Sequence, residues 1–175
     1  MTKKTEWSDK IYRILREWEV SQFCYVPDAG NNGVIQRSLR DLNVHSVPVT
    51  TEEEGVAMLV GAHLGMARGV VLMQSPGVGN CVNMFSYVKN GQYPMLILVS
   101  MRGEFGERNP WQYAAGQAVQ PVLEACGFIC LKIEKPEDVA ETIQAACAMV
   151  FRAGQAVAVM LSQRLIGAKM IQGKG

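Results

Sequence analysis

Three consecutive glutamates, residues 52–54, stand between the apolar run that ends at Val49 and the small residue Gly55. The pattern predicts that a strand ends here and a helix begins, with Thr51 and Glu54 spaced as in a capping box. Acids in the first turn of a helix stabilise it by about 0.3–1 kcal/mol each, and most have no other role. However, Gly and Ala recur along the predicted helix, which indicates that another group approaches it closely. A carboxylate shielded in such a place can transfer protons, so both interpretations stay open.

A glycine-containing segment, Ser75-Pro76-Gly77-Val78-Gly79-Asn80, directly follows a predicted strand and precedes a predicted helix. Glycines in this position let backbone N–H groups come close to a ligand. The spacing matches neither a Walker A loop nor the GxGxxG fingerprint of dinucleotide-binding folds. The segment is therefore either a ligand-binding loop of another type or an ordinary turn.

Polar side chains follow the first predicted strand, at Asp28, Asn31 and Asn32. Their oxygen and amide groups can bind a polar substrate, and they can equally cap the helix that follows. The sequence alone leaves both roles open.

A long connection, residues 101–117, combines charged, amide and aromatic side chains, among them Arg102, Arg108 and Gln112. Long connections of this composition often form functional lids or contacts. The two histidines, His45 and His63, lie in a predicted strand region and a predicted helix and form no catalytic triad.

Short apolar runs that alternate with amphipathic segments set the frame for these residues. The runs are rich in Val, Ile and Leu and mostly lack in/out alternation, which is typical of strands buried on both faces. The predicted strands are Gln22–Val26, Val44–Val49, Gly69–Gln74, Met95–Ser100, Phe128–Ile133 and Ala156–Leu161. The predicted helices are Trp7–Trp18, Asn32–Leu42, Glu52–Ala67, Val78–Lys89, Gln117–Cys126 and Pro136–Arg152.

This alternation predicts a single three-layer α/β domain over residues 1–165, with a mostly parallel sheet of about six strands covered by helices on both faces. Residues 166–175 are predicted to form a polar C-terminal tail. Ligands of such sheets usually bind beyond the carboxyl ends of the strands, where all of the segments described above are predicted to lie.

The composition excludes several classes of function. The 175 residues carry 17 basic and 16 acidic side chains, a net charge of +1, and no basic stripe that would bind nucleic acid or an anionic membrane. No apolar run follows the N-terminal lysines as in a secretory signal, and the longest apolar stretches are too short to span a bilayer. We therefore expect a cytoplasmic protein.

The five cysteines are an odd number and lack CxxC spacing, so neither a disulfide framework nor a metal site is predicted. Each lies among apolar or small residues, which favours buried free thiols.

Taken together and in this order, the polar segments resemble the pyrimidine-binding domain of thiamine-diphosphate enzymes. Within that group they are most similar to the alpha subunit of sulfopyruvate decarboxylase and the matching half of phosphonopyruvate decarboxylase. The resemblance covers roughly Tyr12 to Leu161. It rests on the segments Val26-Pro27-Asp28, Gln74-Ser75-Pro76-Gly77-Val78-Gly79-Asn80, Arg102-Gly103 and Pro110-Trp111-Gln112-Tyr113-Ala114-Ala115-Gly116.

The resemblance implies a catalytic glutamate nine positions before a pair formed by Gly and an aromatic or small residue. With Gly61-Ala62 as that pair the glutamate is Glu52, whereas an alignment on Gly55 nominates Glu53. In the family this carboxylate bonds N1′ of the pyrimidine and favours the imino tautomer, which removes the C2 proton of the thiazolium.

Other roles follow from the same resemblance. The cofactor is implied to lie against Gly77, Val78, Gly79 and Asn80. The substrate is implied to contact Asp28 and Gln112, with Asn31 as a further candidate. The anionic end of the substrate is expected to meet Arg102, Arg108 or the partner chain.

The family holds the diphosphate and Mg²⁺ through a Gly-Asp-Gly segment, which this sequence does not contain. We therefore expect a separate beta subunit to supply the diphosphate-binding domain and the Mg²⁺ site. Thiamine diphosphate would then be shared at the interface, and the chain would be active only in this hetero-oligomer. Candidates for the partner surface, or else for the core, are Met84, Phe85, Tyr87, Tyr93 and Trp111.

The implied reaction is the decarboxylation of a 2-oxo acid, most directly of sulfopyruvate to sulfoacetaldehyde and CO₂. The first alternative is the same architecture acting on phosphonopyruvate or another 2-oxo acid, or with carboligation as the outcome. The second is a non-catalytic scaffold or regulatory subunit, against which the presence of Glu52 and the Gly77–Asn80 segment argues.

Overall fold

A six-stranded parallel sheet forms the middle layer of the protein. The computed structural model describes the backbone of residues 3–167 and the side chains of residues 6–167. The strands are β1 Val20–Tyr25, β2 His45–Pro48, β3 Arg68–Gln74, β4 Met95–Ser100, β5 Ile129–Ile133 and β6 Ala156–Leu161, in the spatial order β2-β1-β3-β4-β6-β5. Each pair of neighbours is parallel, which confirms the predicted sheet and its strands.

Helices cover both faces of this sheet. They are α1 Lys3–Glu17, α2 Asn32–Ser38, α3 Glu52–Leu64, α4 Ser75–Asn80, α5 Val82–Gly91, α6 Trp111–Ala125, α7 Val139–Phe151 and α8 Gln163–Ile166, with a 3₁₀ turn at Pro136–Asp138. The strands are apolar on both sides because each side faces a helical layer: Leu98 packs toward α1 and α7, and its neighbours Ile97 and Val99 pack toward α3 to α6. The predicted three-layer α/β architecture is confirmed.

The glycine-containing segment after β3 is helical, and its prediction as a loop was wrong. The short helix α4 ends at Asn80, and α5 starts after Cys81, so the single helix predicted over Val78–Lys89 is also wrong. Pro76 occupies the first turn of α4, where its missing N–H costs nothing and its fixed φ suits a helix.

Helix α6 begins at Trp111, six residues before the predicted start at Gln117. Gly116 lies inside this helix. A Cβ at this position would overlap the backbone carbonyl of Arg102, so the glycine allows α6 to approach the end of β4 closely. The connection after β4 is correspondingly shorter than predicted.

The chain after β6 turns into α8, whose first turn is capped by Ser162 Oγ accepting from Arg164 N at 3.1 Å. Leu165 and Ile166 are buried against the layer formed by α1 and α7. Residues 168–175 of the predicted C-terminal tail lie outside the described residues.

Beyond its carboxyl end, the sheet has a crevice between β1 and β3. From β1 the chain continues to β2 on one side, whereas from β3 it continues to β4 on the other. Ligands of open parallel sheets bind where the connections diverge in this way. Asp28 follows β1 and Gln74 ends β3, so both belong to this crevice.

All five cysteines are free, as the sequence predicted; Cys24, Cys81 and Cys147 are also buried as predicted, whereas Cys126 and Cys130 are only half-buried. Over the described residues, none of the helices combines the length and the apolar character needed to cross a membrane.

Candidate active site

Glu52 is the first residue of α3, and its side chain is buried, with 8% of the residue exposed. Asn80, at the end of α4, donates a hydrogen bond from Nδ2 to Glu52 Oε2 at 2.8 Å. Packing of α3 against α4 therefore joins two residues that are 28 positions apart in sequence. The result is a shielded carboxylate whose orientation is held through one of its oxygens.

Gly77 lies directly against this carboxylate. A Cβ at Gly77 would overlap the carboxyl group of Glu52, so only glycine permits the observed approach. The other two members of the segment differ: the Val78 side chain is buried in the core beneath α4, and a Cβ at Gly79 would have no neighbour within 4 Å. Gly77 and Asn80 surround Glu52, whereas Gly79 borders open space.

The three consecutive glutamates have three different environments. Glu54 is exposed and accepts a hydrogen bond from Thr50 N at 2.8 Å. Thr51 is the N-cap residue of α3, but its side chain makes no capping hydrogen bond, so the predicted capping box is wrong. Glu54 accepts from the backbone N–H of Thr50 instead of that of Thr51. Glu53 is half-buried, and its Oε2 is shielded without a hydrogen-bond partner among the described residues.

The buried thiol of Cys81 lies near the carboxyl groups of Glu52 and Glu53. Burial raises the pKa of its thiol well above the usual range, and the charges of Glu52 and then Glu53 raise it further. The thiol is therefore neutral at physiological pH, and it is not a nucleophile.

A second polar cluster surrounds Asp28 at the crevice between β1 and β3. Asp28 Oδ2 accepts from Asn31 N at 3.0 Å and from Ser100 Oγ, and Oδ1 accepts from Gln74 Nε2 at 3.0 Å. Asn31 is fully buried and also donates from Nδ2 to the Met73 carbonyl at 3.1 Å. Side chains at the ends of β3 and β4 and at the start of α2 thus fix the Asp28 carboxylate.

Asp28 lines a cavity of about 430 Å³ at the carboxyl edge of the sheet. Its polar and charged walls are Asp28, Gln74, Ser100, Arg102, Glu107, Arg108, Asn109 and Gln163. A volume of this size suits a small-molecule ligand. Two predicted substrate residues, Asp28 and Arg102, are therefore brought together, and Arg108 joins them.

The wall formed by the loop after β4 is organised around Glu107. Arg102 donates to it from Nε at 2.7 Å and from Nη2 at 2.9 Å, which is a bidentate ion pair. The Glu107 carboxylate also accepts from Arg108 N and Asn109 N, each at 2.9 Å, and from Gln163 Nε2 at 3.0 Å. The hydrogen bonds from Arg102 hold the pKa of Glu107 well below its usual range, with backbone amides helping and burial opposing.

Two other predicted substrate residues do not line this cavity in the described part of the chain. Asn31 lies behind Asp28 as a buried support, and one of its polar atoms, Oδ1, has no partner among the described residues. Gln112 lies in the first turn of α6, and its Oε1 is likewise shielded and unpartnered.

Sequence reasoning missed Gln74, Ser100, Glu107 and Gln163. Gln74 and Ser100 are the last residues of buried strands, where a polar side chain in an apolar run was the available signal. Glu107 is five positions from Arg102, but their pairing depends on the fold of the loop. Among the described residues, no group of His, Cys, Asp and Glu side chains could hold a metal ion.

The candidate partner surface separates into core and exposed residues. Phe85 belongs to the core, the second of the two alternatives, since it is fully buried and packs edge-on against Phe128 with ring centroids 4.7 Å apart. Tyr87 on α5 and Trp111 on α6 are exposed, the latter to 88%.

Comparison with known proteins yields relatives along most of the chain. It is 30% identical over 151 residues to sulfopyruvate decarboxylase subunit alpha of Methanocaldococcus jannaschii, covering 86% of this chain and 89% of that protein. The corresponding subunit of Methanococcus maripaludis is 30% identical over 155 residues, covering 88% and 93%. Phosphonopyruvate decarboxylase of Streptomyces viridochromogenes is 29% identical over 124 residues, covering 70% of this chain and 31% of that protein. No protein-family model matches the chain.

A solved structure shares the fold. The chain matches 2-oxoglutarate:ferredoxin oxidoreductase from Magnetococcus marinus, with 2-oxoglutarate, coenzyme A and succinyl-CoA bound, at a TM-score of 0.74 and 14% identity. The match covers 92% of this chain and 29% of the other. At this identity the likeness shows the three-layer architecture alone.

Proposed function

The chain belongs to the family of sulfopyruvate decarboxylase alpha subunits, and we propose that it is the pyrimidine-binding subunit of a thiamine-diphosphate-dependent 2-oxo acid decarboxylase. The observation that carries this proposal is the buried Glu52 carboxylate, held by Asn80 and closely approached by Gly77. A carboxylate in this setting can share a proton with a ring nitrogen of a bound heterocycle.

The residues at this site fit an aminopyrimidine. Asn80 donates its hydrogen bond to Glu52 Oε2, which leaves the other carboxyl oxygen, Oε1, to bond a ring nitrogen. The missing side chain at Gly79 leaves open space on α4, where we propose that the flat ring lies. Glu52 is preferred to Glu53 because Asn80 bonds Glu52 and Gly77 packs against it, whereas Glu53 Oε2 has no hydrogen-bond partner among the described residues.

In the proposed reaction Glu52 hydrogen-bonds the pyrimidine ring and holds the proton that sets its tautomer. Asn80 keeps the carboxylate in place, and burial of the site excludes water that would compete for it. When bound, thiamine diphosphate supplies the electron sink for loss of CO₂. Asp28, fixed by Asn31, Gln74 and Ser100, is proposed to face the reacting end of the 2-oxo acid in the cavity.

A second subunit is proposed to complete the site. The relatives that match along most of their length are named alpha subunits, and a subunit of that name has a partner. We propose that the partner carries the diphosphate-binding domain and binds Mg²⁺, and that the active site forms at the interface of a hetero-oligomer. Sulfopyruvate is the substrate we propose first because the first relatives are named for it, with phosphonopyruvate as the alternative.

The test compares binding of thiamine diphosphate and Mg²⁺ to the chain alone and to the chain mixed with the partner subunit, followed by CO₂ release from sulfopyruvate. Tight binding and turnover only in the mixture are the expected results. Turnover by the chain alone would overturn the shared site. Absence of binding in both samples would favour a scaffold or regulatory subunit.

A further inference from the structure

Gln163, the first residue of α8, lies between two glutamates of the loop after β4. It is buried, with 3% of the residue exposed, and it lines the 430 Å³ cavity. Its Nε2 donates to Glu107 Oε2 at 3.0 Å, and its Oε1 accepts from Glu104 N at 2.8 Å. The opposite orientation of the amide would set its oxygen against a carboxylate, which has no proton to donate when ionised. Both ends of the amide therefore fasten the loop to α8.

Glu104 holds Gln163 in place from the other side. Its Oε2 accepts from the backbone N–H of Gln163 at 3.3 Å, so the two residues bond each other reciprocally. Its Oε1 pairs with Lys132 Nζ of β5 at 2.7 Å. Because its backbone and its side chain are both bonded, Gln163 presents Nε2 to Glu107 from a fixed position.

Glu107 transmits this position to Arg102. The oxygen that accepts from Gln163, Oε2, also accepts from Arg102 Nε at 2.7 Å, and Oε1 accepts from Arg102 Nη2 at 2.9 Å. Arg102 and Asp28 both line the cavity. The pKa of Arg102 is raised, first by its hydrogen bonds to Glu107 and further by the charges of Glu107 and Asp28, with burial opposing. The orientation of this cation relative to Asp28 thus depends on the carboxylate that Gln163 holds.

We propose that Gln163 is a positioning residue of the cavity, which holds Glu107 from α8 so that the Arg102 guanidinium keeps one orientation for an anionic group of the 2-oxo acid. This inference rests on the proposed function and deepens it, since it extends the substrate-binding machinery to the chain segment after β6.

A neutral amide suits this position because charged groups surround it. They are Glu104 and Glu107 of the loop, Arg102 at the end of β4 and Lys132 of β5. A cation at position 163 would compete with Arg102 for Glu107, and a carboxylate would repel Glu107. The amide donates one hydrogen bond and adds no charge. Substitutions that change hydrogen bonding and charge separately can therefore test its role.

The first experiment removes the amide and uses the complex of the chain with its partner subunit, thiamine diphosphate and Mg²⁺. Gln163→Met keeps the length of the side chain. It is expected to raise the KM for sulfopyruvate roughly 10-fold, the order of one hydrogen bond to a charged group, and to leave kcat unchanged. The affinity for thiamine diphosphate is expected to stay at the wild-type value, because the proposed pyrimidine site is formed by Glu52 and Asn80 on α3 and α4.

Gln155→Met is the matched control. Gln155 directly precedes β6, at the opposite end of the strand from Gln163. It is exposed, and its Nε2 donates to the Ala153 carbonyl at 3.0 Å. This variant is expected to behave as wild type in both measurements. Urea denaturation of each chain checks that it is folded.

The second experiment adds a charge at the same position. In Gln163→Glu the introduced carboxylate faces Glu107, and two carboxylates in contact cannot both stay ionised without cost, so one of them takes up a proton at a raised pKa. Once protonated, the new carboxyl group donates to Glu107 as the amide does. The ratio of kcat/KM in the variant to that in wild type is therefore expected to rise about 10-fold as the pH falls from about 8 to about 6. The ratio for Gln163→Met is expected to stay constant over the same range.

A Gln163→Met complex with the wild-type KM for sulfopyruvate would overturn the inference and leave the proposed function standing. Equal weakening of sulfopyruvate and thiamine diphosphate in this variant would do the same, because it would show a general loosening of the fold. So would a pH-independent ratio for Gln163→Glu, a comparison within one variant that a constant loss of stability does not affect. A wild-type complex that releases no CO₂ from sulfopyruvate or phosphonopyruvate would overturn both.

Discussion

Asn80 Nδ2 donates a hydrogen bond to Glu52 Oε2 at 2.8 Å, and this contact links the first residue of α3 to the last residue of α4. Two helices that pack on the same face of the sheet thus present one acid and one amide at its carboxyl edge. The contact distinguishes Glu52 from the two glutamates that follow it. The same substitution at each of the three positions can therefore be compared.

Glu52→Gln keeps the size of the side chain and removes the carboxylate. In the complex with the partner subunit we expect kcat to fall by about 10²–10⁴-fold, the usual contribution of a positioned proton-transfer group, with assembly intact. Steady-state CO₂ release and analytical ultracentrifugation measure the two effects. Glu54→Gln is the control, because Glu54 is exposed and accepts its hydrogen bond from Thr50 N. A larger loss in Glu53→Gln than in Glu52→Gln would move the catalytic assignment by one residue.

Gly77 and Gly79 form a matched pair on α4, because a Cβ would overlap Glu52 at the first and meet nothing within 4 Å at the second. Gly77→Ala would place a methyl group on Glu52, and we expect it to destabilise the chain by about 1–3 kcal/mol, as overpacking does, and to weaken cofactor binding. Gly79→Ala has free space, so the free energy of unfolding should stay unchanged or rise slightly, since alanine favours a helix. Chemical denaturation measures both variants. A Gly79→Ala chain that folds normally but binds thiamine diphosphate poorly in the complex with the partner subunit would support the predicted contact at Gly79, whereas equal stability of the two variants would contradict the close approach at Gly77.

The sequence was sufficient to predict the sheet because its strands are contiguous apolar runs bounded by turns, as in β4, where all six residues are buried. The ends of helices were harder to predict where a close tertiary contact requires a glycine. Gly116 lies inside α6, where its missing side chain makes room for the Arg102 carbonyl. No local sequence pattern distinguishes such a glycine from one that ends a helix.

The sequence nominated single residues of the candidate site by their motif positions, as for Glu52, but it did not predict the contacts that hold them. The supports of Asp28 come from positions 31, 74 and 100, which the chain brings together through the order of the strands. The pairing of Arg102 with Glu107 depends on the path of a loop. Such contacts follow from tertiary structure, and a single sequence carries no periodic signal for them.

The ion pair of Arg102 with Glu107 predicts a specific acid sensitivity. The folded pKa of Glu107 is lowered, chiefly by the hydrogen bonds from Arg102, from an ordinary value of 4.5. Its stabilisation is therefore fully present above about pH 4.5 and is lost as the pH falls through the folded pKa. Glu107→Gln should make the free energy of unfolding depend less on pH in this acidic range. It should also lower that free energy by about 1–3 kcal/mol at pH 7, less than for a fully buried pair because Arg102 keeps some access to water.

Urea denaturation of the chain between pH 2 and pH 7 measures this difference. Glu137→Gln is the control for loss of one negative charge at an exposed position. Asp41, whose pKa is lowered to about 2 by the hydrogen bond from Tyr12, should keep its own acid dependence in both variants. If the free energy of unfolding of Glu107→Gln fell as steeply with acid as that of wild type, the pair would not stabilise the native loop.

Trp111 predicts where the partner subunit binds. Its indole is 88% exposed at the start of α6, directly after the loop that forms the cavity wall, so a subunit that covers the active-site edge would meet it. Exposed tryptophans of this kind often dominate the affinity of an interface, at about 2 kcal/mol or more each. We expect Trp111→Ala to leave the free energy of unfolding of the chain within about 0.5 kcal/mol of wild type and to weaken assembly by roughly 30-fold.

Leu42→Ala is the matched control, since Leu42 is 99% exposed but precedes β2, at the opposite edge of the sheet from β5. Titration calorimetry with the partner subunit compares the two variants, and denaturation checks that each is folded. An affinity that falls in Leu42→Ala and not in Trp111→Ala would move the interface to the β2 edge. Loss at Trp111 alone places the partner over the carboxyl edge, next to Glu52 and the cavity, because α4 and α6 pack together there.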